Sequence, residues 1–189
     1  MIEVELKAHL ADPEGTRERV AGFSRFVGAF EKSDAYWHGP DWRFARGTKG
    51  FRVRTEEGRT VVTFKTKRCE GDMEINRERE FEVMDASALE EFFHRLGCEP
   101  FYTKKKTGTR HEVPSEGAGR PITIEVLEVE GLGPFIEIEA LLDDEAPESV
   151  ALAQGEIRGL LARSGVGEEA IESRYYSELL IERGLVRGF

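Results

Sequence analysis

The feature that most constrains this chain is a period-two alternation of charged and apolar residues, repeated in segment after segment. In Ile2-Glu3-Val4-Glu5-Leu6-Lys7 the residues Glu3, Glu5 and Lys7 point one way and Ile2, Val4 and Leu6 the other. Phe135-Ile136-Glu137-Ile138-Glu139 repeats the Glu-x-Glu pattern near the far end. Between them lie four more alternating segments, 51–54, 61–67, 75–83 and 101–110. Arg52 and Arg54 share a face, as do Thr63, Lys65 and Lys67, and as do Lys104, Lys106 and Arg110. On the segment 75–83, Glu78, Glu80 and Glu82 oppose Arg77, Arg79, Phe81 and Val83. Alternation alone leaves two arrangements open. The charged rows either face solvent on an open sheet or turn inward together in a closed barrel.

The connections favour short antiparallel turns. Glu57-Gly58 joins two alternating runs as a hairpin, and the segment 131–134 (Gly-Leu-Gly-Pro) turns the last strand pair, 122–129 and 135–142. A short strand is expected over 33–38, a loop over 39–50, and a mobile Gly/Ser/Pro-rich hairpin tip over 114–121. Gly108 inside its strand marks a bulge or a close backbone approach. Asp12-Pro13 reads as a helix start, and Val20, Phe23, Val27 and Phe30 then recur at helical spacing, predicting a helix over 13–30. Ser87 with Glu90 gives a capping box before a helix that Gly97 ends. Two further helices are expected over 147–164 and 168–183. Eight strands joined mostly by short turns, with helices added, favour an α+β class built on an antiparallel barrel or sheet, with residues 1–189 as one domain.

Composition narrows the function. A net charge of −10 argues against non-specific nucleic-acid binding, which relies on excess cations. The two cysteines, Cys69 and Cys98, have no partners at metal-ligand spacing. No stretch approaches the roughly 18 apolar residues of a membrane span, and with no apolar leader a cytoplasmic protein is expected. If the charged rows converge, their mixture has a chemical logic. Carboxylates hold hard cations such as Mg²⁺ or Mn²⁺, and Lys and Arg hold phosphate oxygens. A carbonyl substrate would not need so many cations; a triphosphate would.

These residues resemble the CYTH family, which includes class IV adenylyl cyclases, thiamine triphosphatases and inorganic triphosphatases built on an eight-stranded tunnel. The resemblance implies a closed eight-stranded antiparallel β-barrel with helices packed outside. Its N-terminal Glu-x-Glu-x-Lys is matched by Glu3, Glu5 and Lys7, and its late Gly-Leu-Gly-x-Phe-x-Glu-x-Glu by residues 131–139. Asp34 and Tyr36 match its Asp-x-Tyr, and Arg174 to Leu180 resemble its Ser/Tyr-rich terminal helix. The match is most like the class IV cyclase branch. It implies that Glu3, Glu5, Glu137 and Glu139 bind metal and that Lys7, Arg52, Arg54, Lys65, Lys104, Lys106 and Arg110 bind triphosphate. Glu5, Glu139 and Lys7 would be catalytic. Two departures stand out. Leu127 occupies a position where family members often carry Asp, with Glu125 on the same face, and the usual Lys-x-Arg appears with its arginine delayed to Arg110.

The resemblance implies an enzyme that uses Mg²⁺ or Mn²⁺ to turn ATP into cyclic AMP and pyrophosphate. Hydrolysis of inorganic or thiamine triphosphate is the near alternative, and a non-catalytic triphosphate-binding module the more distant one. The partner is a nucleotide or other triphosphate, with homodimer formation open to the apolar strand faces. Lys67 and Lys105 read as solvated, and Glu78, Glu80 and Glu82 as tunnel-lining without metal. His9, His38, His94 and His111 read as surface or edge residues, Trp37 and Trp42 as packing, and Phe23, Phe92 and Phe93 as helical core.

Overall fold

Every alternating strand finds a neighbour on both sides, so the sheet ends with no free edge. A computed structural model describes residues 1–39 and 51–186. The elements run β1 (Ile2–His9), α1 (Pro13–Ala21), β2 (Arg25–His38), β3 (Phe51–Glu56), β4 (Arg59–Glu70), β5 (Met73–Val83) and α2 (Ala86–Arg95). There follow β6 (Glu99–Val113), β7 (Ile122–Val129), β8 (Gly133–Leu142), α3 (Pro147–Arg163), a 3-10 turn at Glu168–Ala170 and α4 (Tyr176–Glu182). The strands close in the order β1-β5-β4-β3-β2-β6-β7-β8, with β8 back against β1. All pairs are antiparallel. This is the α+β barrel with outer helices that the sequence predicts.

The sidedness follows from where apolar surface can be buried. Ile2, Val4, Leu6 and Ala8 of β1 join Ile136, Ile138 and Ala140 of β8 beneath Ala153, Ile157 and Leu161 of α3. On another side Phe51, Val53 and Val62 pack with Trp37 against Phe93 of α2. The hydrophobic core therefore lies outside the barrel, between sheet and helices, and the opposite parity of each strand is forced inward. No helix of the described residues is long and apolar enough to cross a membrane.

Several local expectations change. The helix over 13–30 stops at Ala21, and β2 begins at Arg25, paired with Glu112 of β6. The helical spacing there is coincidental. Val20 is buried with α3, Phe30 faces the tunnel, and Val27 is exposed. Long pairing with β6 overrides the local period, so the strand expected over 33–38 is the last part of a much longer one. The helix over 168–183 is also broken. Pairing of β1 with β5 ends at Glu5, which frees the Lys7 carbonyl, and the Glu172 N–H donates to it at 2.9 Å while Ile171 bridges Ala8. Only then does α4 form, its start closed by Glu178, which accepts from the Tyr175 N–H.

Asp85, not Ser87, caps α2, accepting from the Ala88 N–H at 3.0 Å. Asp12 caps α1 as expected, accepting from the Gly15 N–H. Gly108 is a close approach, with register unbroken on both sides. A Cβ there would lie 2.4 Å from the Val126 carbonyl oxygen. The segment 114–121 is docked on α3, with the Ser115 hydroxyl and Glu116 N–H both donating to Glu156. His111 is buried and bonds Ser24, whereas Phe92 is exposed and Phe23 lies beyond the end of α1. Most of the expected loop over 39–50, with Trp42, lies outside the described residues, as does the side chain of Lys67.

Candidate functional site

The inward rows meet as two interlocking sets, one acidic and one basic. Register sets Glu5 of β1 opposite Glu139 of β8 on one side and Glu74 of β5 on the other, and Lys7 opposite Glu137. Glu3, Glu5 and Glu139 each bring a carboxylate oxygen to within 4.8 Å of the others. Glu3 is held by Lys65 Nζ and Asn76 Nδ2, both 2.8 Å from its Oε1. Burial opposes its ionisation, but the Lys65 charge and these hydrogen bonds bring its pKa down to about 2.

Glu5 and Glu139 differ. Among the described residues neither meets a hydrogen-bond donor or a cation at pairing distance. Burial, then the carboxylates of Glu137, Glu3 and Glu74, push Glu5 up to about 7. Burial, then Glu3 and Glu5, raise Glu139 well above the usual carboxylate range. Both remain partly open to the tunnel. Three oxygen donors so close, two of them uncompensated, are what a hard divalent cation satisfies. Glu137 stands apart, because both its oxygens accept from Lys106 Nζ at 2.6 Å.

Among the described residues, each inward cation faces a carboxylate or a hydroxyl. Lys7 Nζ donates to Glu74 at 2.7 Å, and Lys65 pairs with Glu78 as well as Glu3. Arg54 holds fully buried Asp34 through two bonds of 2.7 and 2.9 Å. Arg52 donates to Thr63 Oγ1 at 2.9 Å and reaches Glu80 at 3.4 Å. Arg110, at a more open position, bonds Glu125 at 2.9 Å and Glu56 at 2.7 Å. Lys104 is the least compensated, donating to the Tyr36 hydroxyl at 3.0 Å with Asp34 no nearer than 3.7 Å. Burial and the neighbouring Lys106 depress its pKa well below the usual lysine value.

All the sequence-predicted site residues thus face one space, although the acidic cluster contains three of the four glutamates. Several members were missed. Lys32, which pairs with Glu125 at 2.6 Å, belongs to the inward parity of β2 with Asp34 and Tyr36. It would have been found had β2 been read as a strand before Ser33. Glu74 and Asn76 lie on the parity of Glu78; Glu74 falls in the two residues by which the strand was read short, and Asn76 lies within the 75–83 span but carries no charge to mark it.

One end of the barrel is shut. Phe30, Leu127, Val129, Leu132 and Phe135 enclose Tyr176, Leu179 and Leu180 of α4. The Gly-Leu-Gly turn is the seat for this helix. Leu132 is buried in the cluster, the Gly131 carbonyl accepts from Arg183 at 2.9 Å, and Gly131, at φ +78°, has Leu185 where a side chain would go. Leu127 belongs to this apolar seat and lies in a different cluster from the carboxylates.

Comparison with known proteins agrees with this architecture. A family model described as CYTH domain matches residues 1–176. A Methanocaldococcus jannaschii protein provisionally named an adenylate cyclase is 27% identical over 187 residues, spanning 98% of this chain and all of the relative. A solved Pyrococcus horikoshii structure superposes with a TM-score of 0.82 at 30% identity, over 96% of this chain and 99% of that one. A Hippeastrum structure, described as a provisional adenylyl cyclase with a dominant triphosphatase activity, shares the fold at a TM-score of 0.64 and 14% identity. It covers 98% of this chain and 96% of that one.

Proposed function

Because the chain belongs to the CYTH domain family, we propose that it is a divalent-metal-dependent enzyme acting on triphosphates, specifically an adenylyl cyclase converting ATP to cyclic AMP and pyrophosphate. The observation that carries this reading is the uncompensated carboxylate pair Glu5 and Glu139 beside Glu3, facing basic rows inside one closed barrel. Glu3, Glu5 and Glu139 would hold Mg²⁺ or Mn²⁺, with Glu137 orienting Lys106 next to them. When bound, such an ion lowers the pKa of a coordinated hydroxyl and neutralises charge at phosphorus. The name of the Methanocaldococcus relative supports the cyclase assignment.

The residues of the chain do the rest by placement. Lys7, Arg52, Arg54, Lys65, Lys104, Lys106 and Arg110 would bind the triphosphate oxygens, and their prearranged charges would stabilise the leaving pyrophosphate. In the cyclase reaction the ribose 3′-oxygen bonds to the α-phosphorus as the bond to the α–β bridging oxygen breaks. The hydroxyl proton passes to solvent and the electron pair of the broken bond leaves with pyrophosphate. Because each described tunnel cation already faces a carboxylate or a hydroxyl, added positive charge would favour the entry of a polyanion. This favours a substrate that arrives with divalent cations.

The test is incubation of the protein with ATP, thiamine triphosphate or inorganic triphosphate, with Mg²⁺ or Mn²⁺, followed by separation of products. Cyclic AMP with pyrophosphate is expected. Orthophosphate release alone would assign triphosphate hydrolysis instead, the activity described for the Hippeastrum protein of this fold. Binding without any product would leave a triphosphate-binding module. Glu5→Gln and Glu139→Gln are each expected to abolish metal-dependent turnover, and near-normal rates in both would remove the metal role from these residues.

A further inference from the structure

One amide in the tunnel wall is only half used. Asn76 of β5 is fully buried and stands opposite Glu3 of β1 in the ladder. Its Nδ2 donates to Glu3 Oε1 at 2.8 Å, whereas its Oδ1 has no hydrogen-bond partner among the described residues. The amide cannot relieve this by turning over. Glu3 Oε1 is also paired with Lys65 Nζ at 2.8 Å, so it is an acceptor, and reversal would set oxygen against oxygen. A buried carbonyl oxygen without a partner is costly and rare, and it calls for a donor or a cation.

Its neighbours say which. The register of β1 and β5 sets Asn76 and Glu74 beside Glu3 and Glu5. The oxygen and nitrogen of one amide are about 2.2 Å apart. Oδ1 is therefore within about 5 Å of Glu3 Oε1, the same scale as the 4.8 Å that contains the carboxylate oxygens of Glu3, Glu5 and Glu139. Asn76 is also the one uncharged member of the inward row of β5, where Glu74, Glu78, Glu80 and Glu82 are its companions. A fourth carboxylate beside the three would add charge that one divalent cation does not offset, and Lys65 is already shared between Glu3 and Glu78. An amide adds an oxygen and no charge, and carbonyl oxygens suit Mg²⁺ and Mn²⁺. Resting on the divalent-metal reading above, we propose that Asn76 Oδ1 is a neutral oxygen ligand of the cation held by Glu3, Glu5 and Glu139. The same side chain, through Nδ2, orients the Glu3 carboxylate.

Two variants separate ligation from orientation, with Mn²⁺ alone as the probe, titrated by calorimetry at pH 8. Asn76→Leu is close in shape and removes both the oxygen and the donor. It should bind Mn²⁺ on the order of tenfold more weakly, and a loss of less than threefold would overturn the proposal. Asn76→Asp keeps an oxygen but has no N–H for Glu3, and should bind Mn²⁺ at least as tightly as wild type. A tenfold loss in the aspartate variant would also overturn the proposal, because it would reduce Asn76 to holding Glu3. Should the leucine variant fail to fold, the aspartate variant decides alone. Failure of the wild-type protein to bind Mn²⁺ would sink the underlying metal reading and this proposal with it.

Discussion

Glu5→Gln should stabilise the metal-free protein at pH 8 while removing its response to Mg²⁺, a pairing of effects that a surface glutamate would not give. In the folded chain Glu5 is pushed from an ordinary 4.5 to about 7, by burial and by the carboxylates of Glu137, Glu3 and Glu74. The folded state therefore holds the proton more tightly than the unfolded chain. Stability must fall as pH rises from about 4.5 to about 7 and stay reduced above it. At about 1.4 kcal/mol per pKa unit the full penalty is about 3 kcal/mol. Glu5 is partly open to the tunnel and shares its field with Glu139, which lowers the expected effect to about 1–3 kcal/mol. For a chain of this size that corresponds to a melting temperature about 3–8 °C above wild type. The assay is thermal unfolding of both proteins at pH 5 and pH 8, first in chelator and then in Mg²⁺. Glutamine matches the shape of glutamate but carries no charge, so the gain should be present at pH 8 and small at pH 5. Mg²⁺ should raise the melting temperature of wild type well above that of the variant. No gain at pH 8 in chelator, or equal stabilisation of both proteins by Mg²⁺, would refute the reasoning.

Two structural predictions accompany it. Gly108→Ala should destabilise the barrel by about 1–3 kcal/mol in urea denaturation, because its Cβ would lie 2.4 Å from the Val126 carbonyl oxygen. An unchanged midpoint would mean that β6 and β7 can separate there at little cost. Asp34→Asn should cost about 3–5 kcal/mol at pH 7, since it leaves the Arg54 guanidinium buried without its counter-charge. Burial opposes Asp34 ionisation, but Arg54 overrides it and holds the carboxyl far below the usual range. This contribution is therefore complete above the ordinary carboxylate pKa and is lost as pH falls below it, so the gap between wild type and variant should narrow under acid.

How much of this was legible in the sequence depended on whether the information was local. The closed barrel could be read because the same parity recurs in strand after strand, and burial of the apolar parity under α3 and α2 leaves the charged parity no other place. The inward facing of the residues from Glu3 to Glu139 followed from that parity, whereas the roles expected of them came from the family resemblance. What failed was decided by partners distant in the chain. Val20, Phe23, Val27 and Phe30 carry a helical period that loses to pairing with β6. The run 168–183 breaks because the Lys7 carbonyl, left open where β5 ends, captures the Glu172 N–H. Lys32 went unseen for the same reason, being inward only once β2 is known to be a strand.

Leu127 shows the same dependence in the opposite direction. From sequence it stands where a family acid is often found, which makes it look like a lost ligand. In the fold it is 2% exposed and packed with Phe30, Phe135, Tyr176, Leu179 and Leu180, at the end where α4 enters. A carboxylate there would replace apolar packing against that helix and would have to be desolvated, at a cost of several kcal/mol unless a neighbouring cation met its charge. Its neighbour on the same face, Glu125, is already engaged by Lys32 and Arg110. The leucine therefore belongs with the helix that shuts the tunnel. The carboxylates that can take a cation are those of β1 and β8, whose register places Glu5 opposite Glu139 whatever stands at position 127.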